Sequence, residues 1–186
     1  MATSIVLLVL GFAFNLASAF TSTFTRWWGT QRGRFATVLL RDVFGIPVWA
    51  AGFAYAATAI SPQLSAPAAL VTAVALCALA VGALIIIAAL VALGWRSAAP
   101  STTDTLVERG PYAHVRHPIH VGTLLEFIGL ALLRPTEPVL LACATGVVWL
   151  ILQSRLEERD LVKRMPGYRE YMRRVPRFIP RLDLNG

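Results

Sequence analysis

All three histidines of the chain, His114, His117 and His120, fall in the stretch Arg109-Gly-Pro-Tyr-Ala-His-Val-Arg-His-Pro-Ile-His-Val-Gly122. That stretch lies where a polar loop turns into an apolar segment, and ionisable groups gathered at such an edge mark a site. Three chemistries suit these residue types. The H-x-x-H-x-x-H spacing has the look of a metal-ligand set, but its faces coincide only in a continuous helix, and Pro118 interrupts one. With no cysteine nearby and only Glu108 and Glu126 as close carboxylates, no metal is expected. A second reading is a polar collar wetted by lipid headgroups. The third is a ligand pocket.

For the pocket, Pro118 suits the first turn of a helix, where its missing N–H costs nothing. His117 then sits at a helix N-terminus whose unpaired N–H groups and dipole favour an anion. Arg116 adds a cation able to hold a carboxylate or phosphate at two points, and Tyr112 adds a ring face or a hydroxyl. Glu157 and Glu158 approach from the mouth of a later segment. A ligand between these poles carries an anion together with a cation or a diol. S-adenosylmethionine fits that description. His114 is assigned to the loop.

The elements that position these groups are set by hydropathy. The chain has 186 residues, 56% of them hydrophobic, and a mean hydropathy of +0.64, well above the soluble level. Apolar runs cover 4–20, 43–60, 66–93, 121–133 and 139–152. The first three approach or exceed the roughly 20 helical residues that cross a hydrocarbon core. The last two are short, separated by Arg134-Pro-Thr-Glu-Pro138, and read as a helical hairpin. The predicted fold is all-α: a polytopic membrane protein of about five segments, the last two a short hairpin, with a cytoplasmic helical tail. Residues 1–93 form a three-helix scaffold whose apolar runs hold no charge, and residues 94–186 form the half that carries the site. Ala17-Ser-Ala19 resembles a signal-cleavage site, but the absence of basic residues before it predicts a retained first helix.

The 17 Lys and Arg outnumber the 10 Asp and Glu. All but Arg134 lie in alternate connections: 21–42, 94–120 and the tail from Gln153. The positive-inside rule makes those connections cytoplasmic, with the N-terminus outside. Trp27, Trp28 and Trp95 beside them read as interfacial anchors. The basic tail reads as attraction to anionic lipid rather than nucleic acid. Cys77 and Cys143 lie in apolar runs and read as buried small hydrophobes. Past the hairpin the last helix continues as an amphipathic segment to Pro166-Gly167, resumes over 168–174, and ends extended.

Six pieces, Leu106-Val-x-x-Gly-Pro-Tyr112, Arg116-His-Pro118, Gly122, Glu157-Glu158, Tyr168-x-x-Tyr171 and Val175-Pro-Arg-Phe-Ile-Pro180, recur in order over residues 106–181. In this ordered set the chain resembles the isoprenylcysteine carboxyl methyltransferase and phospholipid methyltransferase superfamily of integral membrane enzymes. The resemblance implies that this half wraps S-adenosylmethionine at the cytoplasmic face while a lipophilic acceptor enters from the bilayer. It implies cofactor contacts for Tyr112, His117, Pro118 and Gly122, with Glu157 and Glu158 closing the pocket; Arg116 and His120 are added from their place in the same stretch. Five segments suit the smaller prokaryotic members, hence an inner membrane. The family reads Arg-His-Pro-x-Tyr-x-Gly, whereas this chain has His120 at the tyrosine position. That puts the role of the position, and the substrate, in doubt.

Methyl transfer is an in-line displacement in which positioning and desolvation dominate. A carboxylate acceptor needs only an orienting cation, Arg155 or Arg116, whereas an amine must lose a proton to a carboxylate or imidazole. Glu126, the one acid inside the hairpin's apolar part, is either a buried neutral acid or an acceptor-recognising base. Glu158 is also placed among the catalytic candidates. The reading is an isoprenylcysteine carboxyl O-methyltransferase-like enzyme with a lipid or lipophilic small-molecule acceptor. A phospholipid N-methyltransferase and a non-enzymatic carrier or lipid-binding protein are the alternatives. Sequence leaves the oligomeric state open.

Overall fold

The computed structural model describes residues 2–94, 100, 102 and 104–181. Trp95, expected as an anchor, lies outside them. The described residues form helices joined by loops, with one isolated β-bridge between Gln63 and Thr136. Helix α1 covers Ala2–Ser18 and α2 covers Thr21–Val38. A π-helical turn at Leu39–Gly45 leads without a break into α3, Ile46–Thr58. Helix α4 is Ala69–Leu93. A 3₁₀ turn at Gly110–Ala113 precedes α5, Pro118–Leu133, which pairs antiparallel with α6, Glu137–Arg164. Helix α7, Tyr168–Arg174, is the last described helix, followed by the extended segment 175–181.

Among the described residues, three stretches are by length and composition long and apolar enough to cross a membrane: Thr21–Thr58, Ala69–Leu93 and Glu137–Arg164; Ala2–Ser18 and Pro118–Leu133 are shorter apolar helices. Large aliphatic side chains on α4 (Leu70, Leu84, Ile87, Val91) face outward, as a lipid solvent allows.

The region 21–42, expected as a connection, is instead a helical hairpin. Gly29 takes a positive φ of 79°, which glycine adopts without steric cost. The arms fold onto each other so closely that a Cβ at Gly33 would lie 2.5 Å from the Thr25 nitrogen. Thr37 donates to Thr21 across the base at 3.2 Å. Trp27 and Trp28 sit exposed near the tip, where interfacial aromatics belong.

Small residues decide the helix crossings, as they must where lipid removes the hydrophobic drive between helices. On α4 the buried residues are Ala75, Gly82 and Ala89, seven apart, so one narrow seam faces inward. It meets Gly122 and Gly129 of α5, and a Cβ on Gly82 would stand 2.6 Å from the Gly122 oxygen. Gly122, carried over as a cofactor contact, is thus occupied by helix packing. On the other side Gly11 of α1 abuts the Trp49 backbone, and Gly52 of α3 abuts Leu8.

The two halves share one core. Phe12 of α1 stacks on Trp149 of α6 at 4.8 Å, and Phe53 of α3 stacks on Phe127 of α5 at 4.8 Å. Each such pair contributes about 0.5–1.5 kcal/mol beyond its burial. Cys143 is buried as expected, but Cys77 is exposed on the outer face of α4. Because the Gly82–Gly122 crossing has no room for a methyl group, Gly122→Ala is expected to destabilise the protein by about 1–3 kcal/mol. A thermal melt of the detergent-solubilised variant unchanged from the parent protein would refute the close crossing.

Candidate functional site

The start of α5 is pinned by its neighbours. His117 is its N-cap residue and Pro118 its first residue, so His117 and His120 stand one turn apart at the same end of the helix. The preceding backbone pairs with the tail: Arg116 N–H donates to Pro176 O at 2.9 Å and His117 N–H to Arg177 O at 3.2 Å. The buried carboxylate of Glu158 gathers the side chains. Its Oε1 accepts from Arg116 Nε at 2.9 Å and from Arg177 Nε at 3.1 Å, and lies 3.1 Å from His117 Nε2. Its Oε2 pairs with Arg177 Nη2. Arg116 Nη1 is taken by the Met172 and Val175 carbonyls at 3.0 and 2.5 Å.

These contacts redistribute the expected roles. Arg116 and Glu158 neutralise each other, so neither offers a free charge to a ligand. Glu158 lies behind the cavity wall, and Arg177, to which the sequence reading gave no task, completes the cluster. Glu157 faces the other way. It lines a cavity of about 600 Å³ together with Tyr112, Arg116, His117, His120 and Gln153, a size usual for small-molecule sites. Gln153 Nε2 donates to Glu157 Oε1 at 2.7 Å, and Glu157 Oε2 lies 3.6 Å from His117 Nδ1. Tyr112 is fixed through its carbonyl, which accepts from the Tyr171 hydroxyl at 2.6 Å. Burial, then the charge of Glu157, raises the Tyr112 phenol above its ordinary value. It stays a hydroxyl.

Other candidates stand apart. Pro118 is buried, but neither it nor Gly122 is among the cavity-lining residues. Arg155 is exposed and off the cavity. Glu126 packs its Cγ near Gly82 on the α4 crossing and does not line the cavity. His114 is exposed at the end of the 3₁₀ turn. Phe178 packs against His117 with ring centroids 6.0 Å apart.

Sequence reasoning missed the opposite wall. Asn15, Thr37, Arg41, Asp42 and Trp49, from the half assigned to scaffold, also line the cavity. Arg41 and Asp42 pair at 2.7 Å on the π turn, a helix irregularity that often marks functional sites. On α6 the stripe Trp149, Gln153, Glu157 and Leu161, spaced by four, faces the cavity, and that spacing was legible. The Trp149 and Trp49 indole nitrogens and Gln153 Oε1 are buried with no hydrogen-bond partner among the described residues.

A metal set, set aside on sequence, is assembled in part. Ligating atoms of His117, His120 and Glu157 lie within 4.8 Å of one another. Pro118 does not separate the two histidines, because it opens the helix that carries both, and the carboxylate arrives from α6.

The profile of the phospholipid methyltransferase family matches residues 68–167. The chain is 37% identical over 84 residues to a cobalt-zinc-cadmium resistance protein of Cupriavidus metallidurans, covering 44% of this chain and 38% of that protein. It is 34% identical over 82 residues to a nickel-cobalt-cadmium resistance protein of Alcaligenes xylosoxydans xylosoxydans, covering 42% and 38%. It is 36% identical over 72 residues to methanethiol S-methyltransferase 2 of Bradyrhizobium diazoefficiens, covering 38% and 27%. The matched part thus spans well under half the length of these curated relatives. No solved structure matches.

Removing the carboxylate at the centre of the cluster strands buried cations. Glu158→Gln is expected to cost about 3–5 kcal/mol and to lower Tm by on the order of 10 °C; a shift under about 2 °C would show that the cluster does not hold the tail. For His117, burial alone would lower the imidazole, but Glu157 and Glu158 outweigh it and raise its value above the ordinary one. Its contribution to stability is therefore fully present below the unfolded value of about 6.5. It fades as pH rises through the raised folded value. Melts across that range are expected to show the loss in the parent protein and not in His117→Gln.

Proposed function

The chain belongs to the phospholipid methyltransferase family, and from that premise we propose that it transfers a methyl group from S-adenosylmethionine to a lipophilic acceptor reaching the cavity from the bilayer. The observation that carries the reading is a cavity of about 600 Å³, with the polar group Tyr112, His117, Gln153 and Glu157 and the apolar residues Ile86, Leu90, Ile119 and Trp149 in one lining. A water-soluble donor and a greasy acceptor need such a two-natured space.

The residues fit the donor. Gln153 Oε1 is a buried acceptor without a protein partner, and Glu157 is a carboxylate on the cavity wall, so together they suit a ribose diol or an ammonium group. The start of α5 leaves N–H groups without intrahelical partners, suited to a carboxylate. The tyrosines Tyr112 and Tyr168 line the same space. When bound, S-adenosylmethionine supplies an electrophilic sulfonium methyl. The chain's part is to orient, through Glu157 held by Gln153 and His117, and to exclude water through the apolar lining. The matched sulfonium and nucleophile need no acid help, so positioning supplies most of the acceleration.

We place the protein in a prokaryotic inner membrane with five spans, the N-terminus outside and the C-terminus cytoplasmic, on the distribution of its basic residues. The cavity suits isoprenylcysteine-type O-methylation, phospholipid N-methylation and the S-methylation named for one relative alike. A second reading, divalent transition-metal binding, is favoured by the His117, His120 and Glu157 cluster and by the names of two relatives.

Calorimetric titration of the purified chain in detergent and in lipid discs separates the readings. S-adenosylhomocysteine is expected to bind with a Kd on the order of micromolar, about −8 kcal/mol, and Glu157→Ala to weaken it roughly tenfold or more, about 1.4 kcal/mol. Saturable Zn²⁺ binding lost in His120→Ala, with no S-adenosylhomocysteine binding to the parent protein, would replace methyl transfer by the metal reading.

A further inference from the structure

Four acids line the cavity: Asp42, Asp104, Glu157 and Asp160. Three of them are answered by arginine. Asp42 pairs with Arg41 at 2.7 Å. Asp160 pairs with Arg164 at 3.0 Å and accepts from the Ser22 hydroxyl, and Asp104 lies 3.6 Å from the same guanidinium. Glu157 is faced by no arginine or lysine among the described residues; its polar neighbours are Gln153 and His117. The lining therefore keeps one carboxylate without a fixed cation. Two imidazoles, His117 and His120, stand beside it with ligating atoms within 4.8 Å of one another.

Two of these ligating atoms are fixed from behind. The carboxylate of Glu158, held between Arg116 and Arg177, only accepts, so His117 Nε2 at 3.1 Å carries the hydrogen and Nδ1 is turned toward Glu157. Gln153 holds Oε1 of Glu157 at 2.7 Å, which leaves Oε2 toward His117. Nδ1 and Oε2 stand 3.6 Å apart, too far for a hydrogen bond. Ligand atoms about 2.1 Å from a tetrahedral ion stand roughly 3.4 Å from each other, so the gap has the width of a shared cation. A carboxylate behind a histidine, and an amide behind a carboxylate, are the supports by which metal sites orient their ligands. No hydrogen bond of the described residues holds the His120 ring, which closes by about 1 Å to supply the third ligand.

Resting on the methyltransferase reading, we propose that a divalent first-row transition ion binds His117 Nδ1, a ring nitrogen of His120 and Glu157 Oε2, and that this ion and the methyl donor exclude each other. Two imidazoles and one carboxylate select zinc, copper, nickel or cobalt over magnesium and calcium. Three protein ligands leave a fourth position open to water. Any proton on Nδ1 leaves as the ion enters. Exclusion follows from the shared atom. Glu157 is the carboxylate that meets the donor's diol or ammonium, and an ion about 2 Å from Oε2 stands where that group would lie. The ion also sets positive charge beside a sulfonium. Metal occupancy therefore turns methyl transfer off.

The test is calorimetry on the full chain without an added histidine tag, titrated with S-adenosylhomocysteine at fixed pH and stepped Zn²⁺. Zn²⁺ at about ten times its own Kd is expected to raise the apparent Kd for S-adenosylhomocysteine about tenfold. Mg²⁺ at the same concentration leaves it unchanged. Co²⁺ in place of Zn²⁺ develops visible d–d bands, which S-adenosylhomocysteine bleaches. In His120→Ala, and in His120→Phe, which keeps a ring without a nitrogen, the metal effect is lost. Whatever the metal-free affinity of each variant, Zn²⁺ changes it less than about twofold. His114→Ala, at an exposed histidine off the cavity, keeps the full effect. Zn²⁺ failing to bind the parent protein, Zn²⁺ binding that survives both His120 variants, S-adenosylhomocysteine affinity unmoved or improved by Zn²⁺, or an equal effect of Mg²⁺ would each overturn the proposal while leaving methyl transfer standing. Absence of S-adenosylhomocysteine binding in metal-free buffer would remove the methyltransferase reading and the exclusion with it.

Discussion

The buried carboxylate of Glu158 is the contact through which the site is assembled. A lone carboxylate at its 3% exposure would carry a desolvation penalty of several kcal/mol. It is tolerable only because Arg116, His117 and Arg177 surround it. Those three come from the approach to α5 and from the C-terminal tail, so satisfying one charge fixes three chain segments at once. Arg116 extends the hold by donating to carbonyls at the end of α7 and just beyond it. The tail's backbone pairing with residues 116 and 117 follows from the same approach.

Consecutive residues on a helix point about 100° apart, and the Glu157-Glu158 pair uses that angle. The second carboxylate turns into the cluster and the first onto the cavity wall. Two acids side by side in sequence thus do unlike work, one holding the architecture and the other presenting charge to the cavity. His117 joins them: one ring nitrogen faces Glu158 and the other faces Glu157. The orientation of the cavity's carboxylate is therefore coupled to the latch behind it.

What could be read from the sequence was whatever local chain chemistry decides. Pro118 fixes the start of α5 wherever the rest of the chain goes, Pro166-Gly167 breaks the last helix, and hydropathy fixes the long runs. Contacts between distant residues were not legible: Arg116 meets Glu158 across 42 positions, and nothing in Arg177 singles it out from the other basic residues of the tail. The hairpin at Gly29 was hidden because its arms are amphipathic and basic, which in composition resembles a loop. That residues 1–93 also line the cavity, beyond the scaffold role expected of them, was hidden for a related reason. Freedom from charge within the apolar runs does not stop Arg41 and Asp42, just outside one, from riding the π turn into the cavity wall.

That second wall changes how selectivity is to be understood. The family profile covers 68–167, which includes the polar group at the start of α5 and the α6 stripe but leaves out Asn15, Thr37, Arg41, Asp42 and Trp49. The cavity is therefore composite: one wall matches the family profile, and the other belongs to a part of the chain the profile leaves out. Phe12, Trp49 and Trp149 join the walls through stacked rings. A donor common to a family needs a constant wall, and an acceptor that differs among members needs a variable one. The α6 stripe shows where they meet. It runs from Trp149 through Gln153 to Glu157, two turns from an aromatic surface to a carboxylate, and His120 stands beside it at the change. Any ligand that spans the cavity must meet its apolar and ionic parts there, because Trp149 and Glu157 stand two turns apart on one face of one helix.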